Sequence, residues 1–265
     1  MDLNIFHIDA FVSESCKGST ACIVSLDNWL SDEILLKISK RNSVPETAFI
    51  IIKKNKILLR WFTPEIEMDL CGHATLAAAH CIISEFKYNF DKIIFETFSG
   101  KLEVLVKNNT YQLNLPSRNP VYTTLPEIIK KAISIQPKFV LKSRDYILVY
   151  ESESDIQNIT IDQNIFDKIN LDPGGVCVTS IGNHSDFVSR FFTPQSSILE
   201  DPVTGSAHCS LVPYWSDILK KDTLKALQIS QRRGLLMCEN MGDRVIIGGK
   251  ASTFFKEIVS LNSIL

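Results

Sequence analysis

Apolar and polar positions alternate through Leu3-Asn4-Ile5-Phe6-His7-Ile8-Asp9, and this period of two predicts an opening strand over residues 3–11. Small residues at 16–20 predict a turn, and Ala21-Cys22-Ile23-Val24-Ser25 predicts a second strand. The period then lengthens. Behind Ser31, a fitting N-cap, Ile34, Leu35 and Ile38 fall on one helical stripe. β-Branched and aromatic residues at 47–53 and 57–62 predict a hairpin turning at Lys54-Asn55. The alanine-rich run 74–84 predicts a buried helix, and 93–98, 101–107 and 111–115 predict strands joined at Ser99-Gly100 and Asn108-Asn109. Residues 116–126 are polar and hold Pro116, Pro120 and Pro126. They predict a crossover between two halves, 1–115 and 116–265, with the last residues free to pack back on the first half. Beyond it, 126–135 and 209–215 read as helices, and 146–150, 176–181, 186–192 and 245–249 as strands.

The pattern repeats. Arg60-Trp61-Phe62-Thr63-Pro64 is echoed by Arg190-Phe191-Phe192-Thr193-Pro194, an offset of 130, and Gly72-His73-Ala74 by Gly205-Ser206-Ala207, an offset of 133. Both copies run strand, proline-marked loop, small-residue turn, helix. Two ordered echoes at nearly one offset predict an α+β chain of two similar halves related by a pseudo-twofold axis, with both turns at one cleft.

Composition narrows the partners. The chain has 265 residues, 45% of them hydrophobic and 22% charged, enough to bury a sizeable core. The 28 Lys and Arg against 30 Asp and Glu leave a formal net charge of −2, which argues against nucleic acid or an anionic membrane surface as partner. The longest apolar stretches, such as 76–83, are far short of a spanning helix. The amino terminus lacks the basic-then-apolar pattern of a secretory signal, and seven cysteines, an odd number without a CxxC pair, read as reduced cytoplasmic thiols.

The paired turns carry the candidate chemistry. A helix start leaves backbone N–H groups unpaired and carries partial positive charge, and Gly72 and Gly205 let a ligand approach the backbone. Two such starts suit a small carboxylate. Neither GxGxxG nor a phosphate loop is present, and no HExxH, Cys–His cluster or GxSxG supports a metal or a serine nucleophile. Asp69, Cys71 and His73 flank the first turn; Glu200, Asp201, Ser206 and His208 flank the second. By residue type His73 is an acid–base group or a capping or core histidine. Cys71 is a thiolate lowered by the helix start or a small buried residue. Ser206 is a helix-start cap or binding group before it is a nucleophile. Glu46, in Pro45-Glu46-Thr47, is an ordinary strand opener by itself.

These residues resemble the phenazine-biosynthesis (PhzF-like) isomerase family. The resemblance rests on Glu46-Thr47-Ala48-Phe49, Arg60 to Pro64, Asp69-Leu70-Cys71-Gly72-His73-Ala74-Thr75, Arg190 to Pro194 and Glu200-Asp201-Pro202-Val203-Thr204-Gly205-Ser206-Ala207-His208-Cys209, in the family's order and spacing. It implies the diaminopimelate epimerase-like fold, shared with proline racemase: each half is a mixed β-sheet wrapped around a central helix, with the active site between the halves. It implies Glu46 as the general acid/base of a proton shift, in the best-understood relatives on a dihydro-hydroxyanthranilate ring. It implies that His73, Asp201 and Ser206 assist, and that amides around Gly72, His73, Gly205 and Ser206 hold a substrate carboxylate. No metal or organic cofactor is implied, and a homodimer is. A carboxylate in an apolar cleft gains basicity, so one group can remove and redeliver a proton.

Racemases of this fold carry one cysteine at each helix start. Here Cys71 fills the first place and the repeat puts Thr204 in the second, which disfavours a two-thiol racemase. The chain also departs from the family pattern at Gly18-Ser19-Thr20, Pro45 and Ser196-Ser197, which touches substrate identity more than fold. The reading is a cofactor-independent isomerase of a small acid. Its alternatives are an epimerase with another acid/base set and a non-catalytic protein that binds a small acid or another protein.

Overall fold

The alternation at the amino terminus becomes β1 (Asp2–Val12), and the strand after the small-residue turn becomes β2 (Ser19–Ser25). The turn keeps Gly18 for a steric reason: its φ is +72°, and a Cβ there would lie 2.1 Å from the Ala10 carbonyl oxygen. Next come α1 (Asp32–Asn42), β3 (Glu46–Lys53), β4 (Lys56–Phe62), β5 (Glu67–Met68), α2 (Gly72–His80), β6 (Lys92–Thr97), β7 (Gly100–Lys107) and β8 (Thr110–Pro116). Asn108 and Asn109 turn β7 into β8 with φ of 51° and 57°, the left-handed pair a tight hairpin requires. The computed structural model describes residues 1–54, 56–171 and 174–264, so Asn55 of the predicted β3–β4 turn lies outside the described residues.

The chain then forms β9 (Val121–Tyr122), α3 (Glu127–Ala132), β10 (Phe139–Lys142), β11 (Tyr146–Val149), α4 (Glu153–Asn158), α5 (Gln163–Phe166), β12 (Val176–Ile181), β13 (Phe187–Phe192) and β14 (Glu200–Asp201). A 3-10 turn (Gly205–Ala207) leads into α6 (His208–Leu219), followed by β15 (Thr223–Gln228), β16 (Gly234–Asn240) and β17 (Arg244–Ser260). The sequence pattern passes over β10, α4, α5, β15 and β16, and it stops β17 eleven residues short of Ser260. The predicted helix over 74–84 ends as an α-helix at His80 and continues as one wider turn, Cys81–Glu85.

Two compact units result: Met1–Asn114 with Gly248–Leu265, and Leu115–Ile247. Residues 248–265 join the first unit because β17 pairs along the whole of β1, from Asp2 opposite Ser260 to Val12 opposite Lys250. Both units use one pairing scheme. In the first, β1–β2 is antiparallel, β2–β3 parallel, β3–β4 and β4–β5 antiparallel, β4–β6 parallel and β6–β7 antiparallel. In the second, β10–β11, β11–β12, β12–β13, β13–β14, β13–β15 and β15–β16 repeat that order of senses. The parallel steps are crossed by α1 and α2 in the first unit and by α4–α5 and α6 in the second.

Each mixed sheet closes on its central helix. On β2 and β3, Cys22, Val24, Phe49 and Ile51 pack with Leu35 and Ile38 of α1. The opposite face meets α2, which packs on β1, β2 and β3 and is buried from Gly72 to Ala79. Ala74, Ala77, Ala78 and Ala79 leave room for the strands to approach its backbone. In α6, Pro213 supplies no N–H to the carbonyl four residues back, and that Cys209 oxygen instead accepts from the Arg118 N–H at 2.9 Å.

Candidate functional site

Glu46 opens β3 opposite Ala21 of β2, and its side chain, 15% exposed, points to the α2 face. There Glu46 Oε2 lies 2.9 Å from Nε2 of His73, the second residue of α2, which is 3% exposed. The approach is close but out of line, so both atoms are buried without an aligned hydrogen bond. The other ring nitrogen, Nδ1, lies 3.7 Å from Cys71 Sγ. Cys71 is the N-cap of α2, but its side chain does not cap the helix. Its carbonyl is held twice, by the Thr75 N–H at 3.1 Å and the Thr75 hydroxyl at 2.5 Å.

Electrostatics follow from this burial. Burial, then the Glu46 carboxylate, push the Cys71 thiol up, so it keeps its proton at neutral pH. Burial works against charge on His73, but the Cys71 sulfur and the Glu46 carboxylate lift it well above its ordinary range. With Cys71 a neutral thiol, the Glu46 carboxylate is the group that holds the imidazolium. A carboxylate and an imidazolium thus face each other with directional capacity left over for a third group. Ser19 is on the same sheet face by strand alternation, and its fully buried hydroxyl also lacks a partner.

The second unit builds its turn differently. Thr204 takes the N-cap place that Cys71 has in the first unit, as the repeat predicts. Asp201 Oδ2 accepts from the Thr204 hydroxyl at 2.7 Å, and Oδ1 from the Val203 N–H at 3.3 Å. Gln228 on β15 completes the network, accepting from the Thr204 N–H at 2.8 Å and donating to the Asp201 carbonyl at 2.7 Å. Gln228 escapes sequence reading because it is 24 residues from Thr204 and carries no motif. His208 Nδ1–H donates to the Thr204 carbonyl at 2.9 Å, the same N-cap carbonyl that Thr75 holds in the first unit. Burial lowers His208 to about 4, so it is neutral, and its Nε2 has no partner. Gly205 is buried, and the helix start again has no side-chain cap.

The Arg-x-Phe echo is structural. Arg60 grips Glu67 with two bonds of 2.6 Å, Arg190 grips Glu200 with bonds of 2.7 and 2.9 Å, and each guanidinium lies 5.0 Å from the ring of its own Phe62 or Phe192. Glu200, flagged beside the second turn, is therefore committed to Arg190.

The sequence profile described as "Phenazine biosynthesis-like protein" (PhzC-PhzF) matches residues 8–257. The chain belongs to this phenazine biosynthesis-like family. An uncharacterized isomerase of Pseudomonas aeruginosa is 40% identical over 262 residues, covering 98% of this chain and 100% of the relative. A crystal structure of a PhzF-family protein from Enterococcus faecalis is 38% identical, with TM-score 0.92 over 98% of this chain and 100% of that one. A probable proline racemase from Agrobacterium radiobacter, 8% identical with TM-score 0.64 over 98% and 93% of the chains, shares the fold. The PhzF-like chain thus has the diaminopimelate epimerase-like architecture expected of it.

Proposed function

We propose that this protein is a cofactor-independent isomerase that moves a proton on a small carboxylate-bearing substrate, with Glu46 as the acid/base. The observation that carries the reading is the 2.9 Å approach of Glu46 Oε2 to His73 Nε2, two buried atoms without aligned partners at an uncapped helix start. The isomerase named among the relatives supports the same class. In this reading Glu46 takes a proton from one carbon of the substrate and returns it to another. His73, 2.9 Å away, orients Glu46. The amides of Gly72 and His73 accept negative charge on the substrate. Asp201, Gly205 and Ser206 serve substrate binding from the second unit, Asp201 through the turn it ties to Thr204.

A second reading makes Cys71 the proton-handling group, and its 3.7 Å contact with His73 Nδ1 favours it. Thr204 at the matching place offers no second thiol, so that enzyme would need another partner. One experiment separates the readings: wash-in of solvent deuterium to small unsaturated carboxylic acids, dihydro-hydroxyanthranilate among them, followed by mass spectrometry. Glu46→Gln is expected to slow wash-in by about 10²-fold or more, the scale of a lost general acid/base. Full exchange in Glu46→Gln together with loss in Cys71→Ala overturns the assignment.

A further inference from the structure

We propose that Glu46, Cys71 and His73 also form a binding site for a soft divalent cation, Zn²⁺ foremost, and that such a cation inhibits the protein by occupying its proton-handling atoms. A thiol sulfur, an imidazole nitrogen and a carboxylate oxygen converge so that one donor atom from each lies within 4.8 Å of the others. Sulfur, nitrogen and oxygen together are a zinc donor set. The Cys71 Sγ to His73 Nδ1 distance is 3.7 Å. Two ligands of a tetrahedral zinc, at about 2.3 Å for sulfur and about 2.0 Å for nitrogen, stand about 3.5 Å apart. Glu46, whose donor oxygen falls within the same 4.8 Å, becomes the third ligand by turning its carboxylate toward that edge. A fourth position is left for water, as in zinc sites with three protein ligands.

A second observation is independent of these spacings. Glu46 Oε2, an oxygen available to the cation, is buried without an aligned hydrogen bond, although buried polar atoms are ordinarily satisfied. The donors also stand on stiff supports, the first residue of β3 and the first turn of α2. Binding is balanced in protons: the Cys71 S–H and the His73 imidazolium each release one proton to solvent, so a thiolate and a neutral imidazole become the ligands. The sequence holds no HExxH and no Cys–His cluster and so lends a metal no support; the third donor comes from a strand 25 residues before Cys71.

The other thiol–imidazole contact offers no such site. Cys22 Sγ lies 3.3 Å from His7 Nδ1, but Glu257 beyond the ring is gripped by Arg41 at 3.0 and 2.9 Å. That contact is the internal control.

The test uses the full chain and Co²⁺, whose thiolate complexes absorb strongly in the near ultraviolet. One Co²⁺ per chain should bind with a thiolate-to-cobalt band that Zn²⁺ displaces. The band should vanish in Cys71→Ser, persist in Cys22→Ser, and need at least about tenfold more Co²⁺ in Glu46→Gln. If Cys71→Ser does not fold, His73→Gln decides, since it keeps every thiol and should still lose the band. No band in the unsubstituted chain, or a band that survives Cys71→Ser or depends on Cys22, overturns the proposal. The measurement needs no substrate. A chain that binds Co²⁺ but, when free of metal, exchanges no deuterium overturns the isomerase reading alone; an active chain without the band, or one whose exchange Zn²⁺ does not slow, overturns the metal proposal alone.

Discussion

Two buried histidines near the two helix starts are driven in opposite directions. His73 is raised against its burial by the Cys71 sulfur and the Glu46 carboxylate; His208 is lowered to about 4 by burial, which outweighs the hydrogen bond to the Thr204 carbonyl. An unfolded histidine titrates near 6.5. The raised His73 therefore contributes stability that is present below about pH 6.5 and is lost as pH rises through its folded value. For His208 the unfolded chain binds the extra proton, so stability falls as pH drops below about 6.5 and levels off near 4. Urea midpoints measured against pH should show both signs. His73→Gln should remove the alkaline loss and His208→Gln the acid loss, and a profile unchanged by either substitution contradicts the assignment. Residue type alone marked His73 as a candidate. It could not decide the charge, which depends on Glu46, 27 residues away.

The arginine clamps operate at the level of elements. Arg190 ties β13 to β14 through Glu200, and its Nη1 donates to the carbonyls of Ile156 and Ile159 at the end of α4, at 3.1 and 3.0 Å. Removing one partner leaves a half-buried carboxylate and two carbonyls unpaired. Arg190→Ala should therefore cost about 3 kcal/mol in chemical denaturation. Asp217→Ala, at an exposed pair with Lys220, should stay within about 0.5 kcal/mol. Equal effects would show that Arg190 is no clamp. The alternating and alanine-rich segments were legible because each buries one face by its own period. The short elements were not. α4 spans six residues and α5 four, too few for a stripe to register, although the Ser152–Asp155 capping box marks the start of α4.

At the scale of the whole molecule, one topology serves twice, and the last strand crosses from one unit to the other. β17 begins in the second unit, and from Gly248 it belongs to the first, where it covers β1. A chain ending at Ile247 leaves β1 without that partner. Hydrogen exchange should find the β1 amides that face β17 protected in the full chain and fast in the shortened one, while those facing β2 keep a partner; unchanged protection would contradict the pairing. The repeat of Arg-x-Phe-Thr-Pro and Gly-x-Ala was enough to establish two like halves, the helix starts at Gly72 and Gly205, and the missing second thiol at Thr204. Those features are local, written in spacing and residue type within a few turns of chain. Tertiary structure alone decided that Glu46 meets His73 and Cys71, that Gln228 holds the second turn, that Glu200 belongs to Arg190, and that the final strand returns to the first unit. Each of these joins residues far apart in sequence, and no periodicity in the chain records which distant strand will pack beside which.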